Sequence, residues 1–487
     1  MEQKNILVFM SDQHAPKMSS YLGGLARTPT LENMAERGMS FDAAYTACPL
    51  CVPARMAFLS GRLPSRTGIL NNFTVLPDTT PTIAHAFSAA GYETVLVGRM
   101  HFVGEDQRHG FHHRLVGDIT SPEWKPSRPL LEKLRGPFIK CFDELGSTQI
   151  IGGGGSPVQD YDQQVLFAAL DWLSRPHEKP QFVVVGTYSP HFPYVAPEEL
   201  YRYYRERVSL PAGFLNPPDY LDPTAKIRLA RSSREPETAL RAQAAYCGMI
   251  EQVDGYIGAV RSAFWDYCKG TGERGVFLYT SDHGDQCGER GLFGKMSFFE
   301  SSARIPLLIE GDGIPQGVRR TEPVSLLDLL PTLCGLAHAS PPPCQDGGDI
   351  LSGEIPKDRA VISEMYGIFG APGKFPEVAS MNSLSRMVRK GRYKYITRRG
   401  FEDWDLLFDL EEDPGESRNI LPEEPEIAAA LKKELTALPG PDEVKETQLV
   451  NAQIYDFMQL AQRPSEKLLA EFWTGTKPEN LELPVVQ

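Results

Sequence analysis

The sequence predicts an α/β protein with a doubly wound, mostly parallel sheet and a smaller C-terminal α+β domain. Short runs of Val, Ile and Leu recur along the chain, and they are apolar on both faces, as in strands buried within a parallel sheet. Stretches with helical spacing of apolar residues separate these runs, and strands that alternate with helices are typical of doubly wound folds. Beyond about residue 370 the pattern changes, which indicates the second domain.

The strands and helices of the large sheet are predicted from apolar runs and their flanking turn signals. A helix is expected over residues 28–38, with Thr28 or Thr30 as its N-cap, and another over residues 162–176, with a stop at Pro176. Each predicted strand ends in Gly, Ser or Asp, which are residues typical of turns. In chain order the strands are NILVFMSD (5–12), YETVLVG (92–98), QFVVVGTYS (181–189), GVFLYTSDHG (275–284) and RIPLLIEGDG (304–313).

The second domain follows a segment rich in Pro and Gly, residues 338–358, which is predicted to be a connecting surface loop. We expect a large α/β domain at residues 1–370 and a smaller α+β domain with a helical tail at residues 371–487. The segments of the smaller domain are two strand-like runs, 387–400 and 403–416, and two helical ones, 426–438 and 451–462.

The charge balance excludes one large class of partners. The chain has 50 basic and 63 acidic residues, a net charge of -13. A protein that binds nucleic acid through its phosphates needs a basic surface, so nucleic acid is not an expected partner. Any site for an anion must then be a local cluster of cations inside a pocket.

The N-terminal segment and the cysteines indicate the cellular compartment of the protein. The apolar run Ile6–Met10 is too short for a signal-peptide core or a membrane span, so we expect a cytoplasmic protein without a membrane partner. Eight cysteines are scattered through the chain, a pattern typical of reduced thiols. Most of them are expected to be buried.

Polar residues follow two of the predicted strands. Asp12 and Gln13 come directly after the first strand, and Asp282 and His283 follow a later one. In open α/β sheets, reactive groups lie just past the carboxyl ends of the strands. Both pairs should therefore open on one crevice.

Two cysteines, Cys48 and Cys51, have the C-x-x-C spacing of some metal clips and redox pairs. No second cysteine pair or His-x-x-x-His completes a zinc site, and a thioredoxin-like motif would follow the first strand of a much smaller fold. A metal clip and a redox pair are therefore disfavoured here.

The residues around Cys51 carry a resemblance to a known family. The run Cys51-Val-Pro-Ala-Arg55, followed by Leu-Ser-Gly-Arg62, resembles the signature of type I sulfatases, in which the cysteine is oxidised after translation to formylglycine. Only Cys51 has Pro at the second following position and Arg at the fourth. Further motifs occur in the order of that family, namely SDQ (11–13), VGRMHF (97–102), SPHFPY (189–194), TSDHGD (280–285) and GLFGKMSFFESSARIPLLI (291–309).

The resemblance implies an alkaline-phosphatase-like fold, a formylglycine nucleophile at position 51 and one divalent cation. A hydrated aldehyde has two hydroxyls, one to attack sulfur and one to expel sulfate later, so that one hard step becomes two. Residues implied to ligate the cation are Asp12, Gln13, Asp282, His283 and an oxygen of modified Cys51. Implied catalytic residues are Arg55 to hold formylglycine, His101 to contact its diol, Arg99 and Lys295 to clamp sulfate, and His191 with Lys295 to assist the leaving alcohol.

Departures from the common pattern indicate a branch of the family. Gln13, Arg99 and His283 stand where many sulfatases have Asp, Lys and Asn or Gln. These changes resemble the branch shared by choline sulfatases and phosphonate monoester hydrolases. The expected reaction is hydrolysis of a small sulfate monoester, choline-O-sulfate or a sulfated sugar, and the alternative is hydrolysis of phosphonate monoesters or phosphodiesters.

Cofactor and partners follow from the same resemblance. Oxygen ligands suit Ca²⁺, and the imidazole of His283 leaves Mn²⁺ open. The expected partners are a small-molecule or carbohydrate sulfate ester and a formylglycine-generating maturation enzyme. The oligomeric state is open, with a homo-oligomer as one arrangement. Residues 471–487 do not resemble the oligomer-completing extension of choline sulfatases, so choline-O-sulfate is one candidate beside sulfated sugars and other small sulfate monoesters. If the substrate carries choline, an aromatic and acidic cage has to surround its ammonium group. The candidates for this cage are Trp124, Tyr188, Glu364 and Tyr366.

The remaining polar residues of interest are expected to be structural. Asp285 and Glu289 are expected to be solvated or to support metal ligands. For His109 two roles remain, one in the wall of the pocket and one in the scaffold. The histidines assigned to the scaffold are His85, His112, His113, His177 and His338.

Overall fold

The computed structural model describes residues 3–120, 146–272, 274–366, 384–399 and 404–461. The strands are β1 Lys4–Ser11, β2 Met39–Phe41, β3 Ala44–Tyr45, β4 Glu93–Gly98, β5 His113–Leu115, β6 Ile151–Gly153, β7 Gln181–Gly186, β8 Tyr194–Ala196, β9 Arg274–Ser281, β10 Leu307–Gly311, β11 Val318–Arg320, β12 Val324–Ser325, β13 Ala360–Tyr366, β14 Leu384–Lys390, β15 Tyr393–Arg399 and β16 Leu406–Asp409. The helices are α1 Pro29–Arg37, α2 Cys51–Ser60, α3 Pro64–Thr67, α4 Ile83–Ala89, α5 Pro157–Leu173, α6 Glu198–Arg205, α7 Pro223–Arg231, α8 Pro236–Thr271, α9 Glu300–Ala303, α10 Leu329–Ala337, α11 Pro425–Lys433 and α12 Pro441–Ala461.

The large sheet has the strand order β11-β2-β10-β9-β1-β7-β4-β5. Its central strands β9, β1, β7 and β4 are parallel to one another, and β10 is antiparallel to both of its neighbours. The five predicted runs are β1, β4, β7, β9 and β10, so the predicted doubly wound, mostly parallel sheet is confirmed. The reversed direction of β10 was not predictable, because burial on both faces gives the same apolar run in either direction.

Helices cover both faces of this sheet. In β1, Ile6 and Val8 belong to a cluster formed with α2, α4 and α10, whereas Leu7 and Phe9 belong to one formed with α1, α5 and α8. Successive side chains of a strand point to opposite faces, so one strand contributes to two cores. The edge at the carboxyl ends of the parallel strands remains for the loops that follow these strands.

The start of α1 differs from the expectation in one detail. Thr28 occupies the N-cap position, but its side chain caps no backbone N–H. Instead Asp254 of α8 accepts hydrogen bonds from the N–H groups of Thr30 (2.9 Å) and Leu31 (3.0 Å). A side chain from another helix therefore supplies the cap that a local residue commonly supplies.

The smaller C-terminal sheet is an antiparallel meander in the order β13-β14-β15-β16. The run 387–400 includes the end of β14 and all of β15, with a turn at Gly391 (φ +56°) between them. The expected boundary at 370/371 lies outside the described residues, and β13 joins the smaller sheet ahead of it. In the described part of the chain, no helix is both long and apolar enough to cross a membrane.

Candidate active site

Four neighbouring parallel strands bring the predicted site residues to one edge of the sheet. Asp12 and Gln13 follow β1, and Asp282 and His283 follow β9. Ser11 pairs in register with Ser281, so the two strands end side by side. The backbone N–H of Gln13 donates to Asp282 Oδ1 at 3.0 Å. The two pairs predicted from the strand ends therefore lie side by side, and all four residues are buried.

The next two strands along the sheet add the basic residues. Arg99 and His101 follow β4, and His191 follows β7. A Cβ on Gly186, the last residue of β7, would lie 1.9 Å from the Arg99 carbonyl oxygen. Only glycine admits the chain that carries Arg99 so close to β7.

Cys51 is the first residue of α2, with Leu50 in the N-cap position. Its thiol is buried, with 1% of the residue exposed. The Sγ atom lies 3.3 Å from His283 Nε2 and 4.0 Å from Asp12 Oδ1. A helix N-terminus favours negative charge, so this position suits a group that becomes anionic.

Acceptor atoms of Asp12, Asp282 and His283 converge next to Cys51. His283 Nε2 lies 3.8 Å from Asp12 Oδ1 and 3.6 Å from Asp282 Oδ2. The four buried residues each offer a ligand atom, and these atoms lie within 4.8 Å of one another. Two carboxylates and an imidazole that face one another in a buried space form a donor set that fits a divalent cation.

The hydrogen bond made by the other ring nitrogen fixes the tautomer of His283. Nδ1 lies 3.1 Å from the Gly284 carbonyl oxygen, which can only accept, so Nδ1 carries the proton. Nε2 then presents a lone pair to the carboxylates, as a metal ligand must. Burial lowers the pKa of His283, which favours the neutral ring.

Arg55 bridges the carboxylates of Asp12 and Asp282. Its Nε donates to Asp282 Oδ2 at 2.9 Å, and Nη2 donates to Asp12 Oδ2 at 3.1 Å. Burial by itself would raise the pKa of Asp12, but Arg99, Arg55 and the other cations around it hold that pKa well below its usual range. Asp12 is therefore held ionised beside Cys51.

Arg99 is bound mainly to protein acceptors. Nε donates to Asp12, and Nη1 donates to Asp118 Oδ1 (2.9 Å) and to Thr120 Oγ1 (3.0 Å). Nη2 donates to His101 Nδ1 at 2.9 Å. The guanidinium group also lies over the ring of Tyr188, 4.6 Å from its centroid. Four of its five N–H groups are thus committed, which limits how much of it a substrate can engage.

His101 is oriented by the same arginine. Because a guanidinium group only donates, His101 Nδ1 accepts from Arg99, and the ring proton is on Nε2. The ring makes a hydrogen bond with Cys51, and burial and Arg99 lower the pKa of His101. Asp118 accepts the backbone N–H of His101 at 2.7 Å. A neutral N–H donor therefore faces residue 51.

Lys295 closes the site from the loop after β9. Its Nζ lies 2.7 Å from Gln13 Oε1 and 2.6 Å from His191 Nε2. His191 Nδ1 lies 2.7 Å from the Phe192 carbonyl oxygen, so that nitrogen carries the proton and Nε2 accepts from the ammonium group. Burial and Lys295 hold the pKa of His191 well below its usual value.

Two of the choline-cage candidates, Glu364 and Tyr366, lie next to each other. Tyr188 lies under Arg99, in the site. Glu364 Oε1 instead accepts from Arg386 at 2.9 Å, and Tyr366 packs in a separate apolar cluster with Leu70. Trp124 lies outside the described residues.

Most other histidines bind scaffold groups. His109 packs against Phe102, with ring centroids 4.5 Å apart. Glu289, the acidic residue expected to be solvated or to support a ligand, pairs with Lys17. His85 completes the capping box of α4, and His338 ends α10 in the left-handed conformation. The remaining hydrogen bonds join His112 to Thr94, His113 to Glu93 and His177 to the Trp172 carbonyl oxygen.

Sequence patterns did not reveal two groups that shape the site. Asp118 holds both Arg99 and His101, and the only signal for it is a Gly-Asp turn after β5. Arg228 of α7 donates to the Phe293 carbonyl oxygen at 2.8 Å and to that of Met296 at 3.2 Å. These two carbonyls flank Lys295, so the arginine supports its loop.

Two family models match large parts of the chain. Residues 3–339 match the family model described as Sulfatase, and residues 288–440 match the model described as N-sulphoglucosamine sulphohydrolase, C-terminal. The structure is similar to that of a phosphonate monoester hydrolase of Agrobacterium radiobacter, with a TM-score of 0.73, 22% identity, and 89% of this chain and 95% of that chain covered. Together with the family model, that likeness confirms the predicted fold class.

Two curated relatives match over most of their length. The chain is 35% identical to a choline-sulfatase of Rhizobium meliloti (strain 1021), covering 85% of this chain and 82% of the relative. It is 26% identical to arylsulfatase K of Bos taurus, covering 89% of this chain and 81% of the relative. With the family model and these relatives in agreement, the chain belongs to the sulfatase family and is a sulfatase, a hydrolase that acts on sulfate esters.

Proposed function

We propose that this sulfatase cleaves a small sulfate monoester through formylglycine made from Cys51, with one divalent cation held by Asp12, Gln13, Asp282 and His283. The observation that carries the proposal is the position of Cys51 Sγ, at a buried helix N-terminus and 3.3 Å from His283 Nε2 within the cluster of acceptors. A maturation enzyme would have to convert this thiol into the aldehyde. The hydrated aldehyde would supply two hydroxyls, one for attack on sulfur and one for release of sulfate.

The donor set favours calcium, with manganese as the alternative. The carboxylates of Asp12 and Asp282 and the amide of Gln13 offer oxygen ligands, and His283 offers one nitrogen. When bound, the cation would lower the pKa of an attacking hydroxyl and offset the charge of the sulfate oxygens. Arg55 already bridges both aspartates through their Oδ2 atoms, and the remaining oxygen of Asp12, Oδ1, lies 4.0 Å from Cys51 Sγ.

The protonation states favour Lys295 as the group that assists the leaving alcohol. The S–O bond breaks toward the alcohol oxygen, which then needs a proton or a positive charge. His191 is neutral and accepts from the Lys295 ammonium group, so it positions Lys295 and does not donate in this state. The Nε2–H of His101 faces residue 51 from the other side and can donate to an oxygen there.

The alcohol part of the substrate is proposed at the level of chemical class. Similarity to a choline-sulfatase over 85% of the chain supports choline-O-sulfate, and a sulfated sugar is the alternative. The branch-specific residues Gln13 and Arg99 also favour testing phosphonate monoesters. Rates with choline-O-sulfate, a sulfated sugar and phenylphosphonate esters separate the three, and a strong preference for the phosphonate would overturn the sulfatase assignment of the natural substrate.

The nucleophile is tested directly by mass spectrometry of the peptide that contains residue 51. We expect the mass loss that corresponds to exchange of the thiol for an aldehyde, and we expect Cys51→Ala to abolish turnover while the protein stays folded. Cys48→Ala is the matched control, because Cys48 is also buried and lies in the same segment but is not one of the four residues whose ligand atoms converge. An unshifted peptide from fully active enzyme, or activity in Cys51→Ala, would contradict the proposal.

A further inference from the structure

Behind the site, Asp285 is buried against the far side of Gln13, with 1% of the residue exposed. We infer that Asp285 is a positioning residue, which fixes the orientation of the Gln13 amide so that its oxygen, and not its nitrogen, faces the site. The inference rests on the proposed function, because it takes Gln13 to be one of the groups that hold the cation.

The carboxylate of Asp285 is surrounded by donors. Oδ1 accepts from the backbone N–H groups of Cys287 (2.7 Å) and Gly294 (2.9 Å), and the hydroxyl of Tyr194 lies 2.9 Å from Oδ2. The remaining partner of Oδ2 is Gln13 Nε2, at 2.7 Å. Oδ2 accepts at this contact, so the atom of Gln13 placed against it is the amide nitrogen, which donates.

The other end of the amide gives the same orientation. Gln13 Oε1 lies 2.7 Å from the ammonium nitrogen of Lys295, which can only donate. A flipped amide would set its N–H groups against Lys295 and its oxygen against Asp285, two repulsive contacts in a buried space. Asp285 and Lys295 thus select one rotamer between them.

The backbone of Gln13 is held as firmly as its side chain. Its N–H donates to Asp282 Oδ1 at 3.0 Å, its carbonyl oxygen accepts from Tyr246 at 2.6 Å, and its φ is +67°. With the backbone fixed, the amide flip is the remaining way to exchange the oxygen for the nitrogen. Control of the flip therefore decides whether position 13 can bind a cation.

The inference is tested by variants that exchange hydrogen-bond donors and acceptors between positions 13 and 285. In Asp285→Asn, the asparagine oxygen stays with the two backbone donors, so its nitrogen faces Gln13 and turns the Gln13 oxygen away from the site. We expect Mn²⁺ affinity, measured by titration calorimetry or by electron paramagnetic resonance, to fall about tenfold. The double variant Q13E/D285N should recover most of the affinity, because the carboxylate introduced at position 13 accepts from the new amide at position 285 and again presents an oxygen to the site.

The matched control is Asp254→Asn, which alters another buried carboxylate that accepts two backbone N–H groups, far along α8. It should leave Mn²⁺ affinity unchanged. Wild-type affinity in D285N, or no recovery in the double variant, would overturn the inference while the proposed reaction stands. Failure of the wild-type protein to bind Mn²⁺ or Ca²⁺ would instead overturn the metal site and the inference with it.

If D285N does not fold, the stabilities of Q13E and Q13E/D285N still test the inference. Q13E alone places two carboxylates against each other, and adding D285N replaces that repulsion with a hydrogen bond. The melting temperature of Q13E/D285N should therefore exceed that of Q13E. Equal melting temperatures would overturn the inference.

Discussion

At the scale of single residues, the site is organised by which atoms can only donate and which can only accept. The guanidinium of Arg99 sets the tautomer of His101, and the ammonium of Lys295 selects the accepting nitrogen of His191. Carbonyl oxygens fix the outer nitrogens of His191 and His283. The protonation state of each histidine therefore follows from neighbours that have a single hydrogen-bonding role.

The role of Lys295 leads to a prediction about leaving groups. Lys295→Ala should lower kcat/KM for an alkyl sulfate by about 10² to 10⁴, the usual contribution of a positioned acid. A nitrophenyl sulfate should lose much less, because nitrophenolate leaves without a proton. Rates of both substrates with wild type, Lys295→Ala and the exposed control Lys269→Ala measure this. Equal losses for the two substrates would show that Lys295 does not act on the leaving group.

The residues that belong to motifs could be predicted from the sequence, whereas those that support them could not. Cys51, Arg55 and the strand-end pairs occur in recognisable spacing, so the amino-acid pattern alone identifies them. Asp118 has no such pattern, because it lies in a turn after β5 and meets Arg99 and His101 only through the fold. A carboxylate that contacts residues about twenty positions away leaves no periodic signal in the sequence.

At the scale of elements, the site depends on strands that end together and on a helix that begins beside them. β1 and β9 end in register at Ser11 and Ser281, and β4 and β7 end in register at Gly98 and Gly186. The N-terminus of α2 then meets these ends at Cys51. Apolar runs predicted the strands well because they are buried on both faces. The cap of α1 was not predictable, because Asp254 lies more than 200 residues away.

That distant cap has a testable pH dependence. Burial raises the pKa of Asp254 to about 6, although the N–H groups of Thr30 and Leu31 oppose the rise. The folded state then binds the proton more tightly than the unfolded state, so the stabilising contribution is full below about pH 4 and is lost as the pH rises through 6. The free energy of unfolding of wild type minus that of Asp254→Asn should therefore fall between about pH 4 and 6.5. Denaturant titrations that give parallel pH profiles for the two proteins would refute this.

At the scale of the whole molecule, buried ionic contacts join the smaller sheet to the large domain. Lys394 of β15 is fully buried and pairs with Glu300 Oε1 (2.7 Å) and Glu416 Oε1 (2.6 Å). Its Nζ also donates to the Phe298 carbonyl oxygen at 2.7 Å, in the segment that follows Lys295. The C-terminal sheet thus supports the loop that closes the site, although the sequence places the two more than ninety residues apart.

The last prediction follows from removal of this lysine. Lys394→Met should lower the free energy of unfolding by about 3–5 kcal/mol, because it removes the cation shared by the buried carboxylate of Glu416 and the partly buried carboxylate of Glu300. Since the loop with Lys295 is attached at the same place, hydrolysis should be lost on heating together with the fold, in a single transition. Arg202→Ala is the control: its pair with Glu198 is 77% and 46% exposed, so little change is expected. Calorimetry that shows a separate early transition for the C-terminal part, with activity retained beyond it, would mean that the sheet does not support the site.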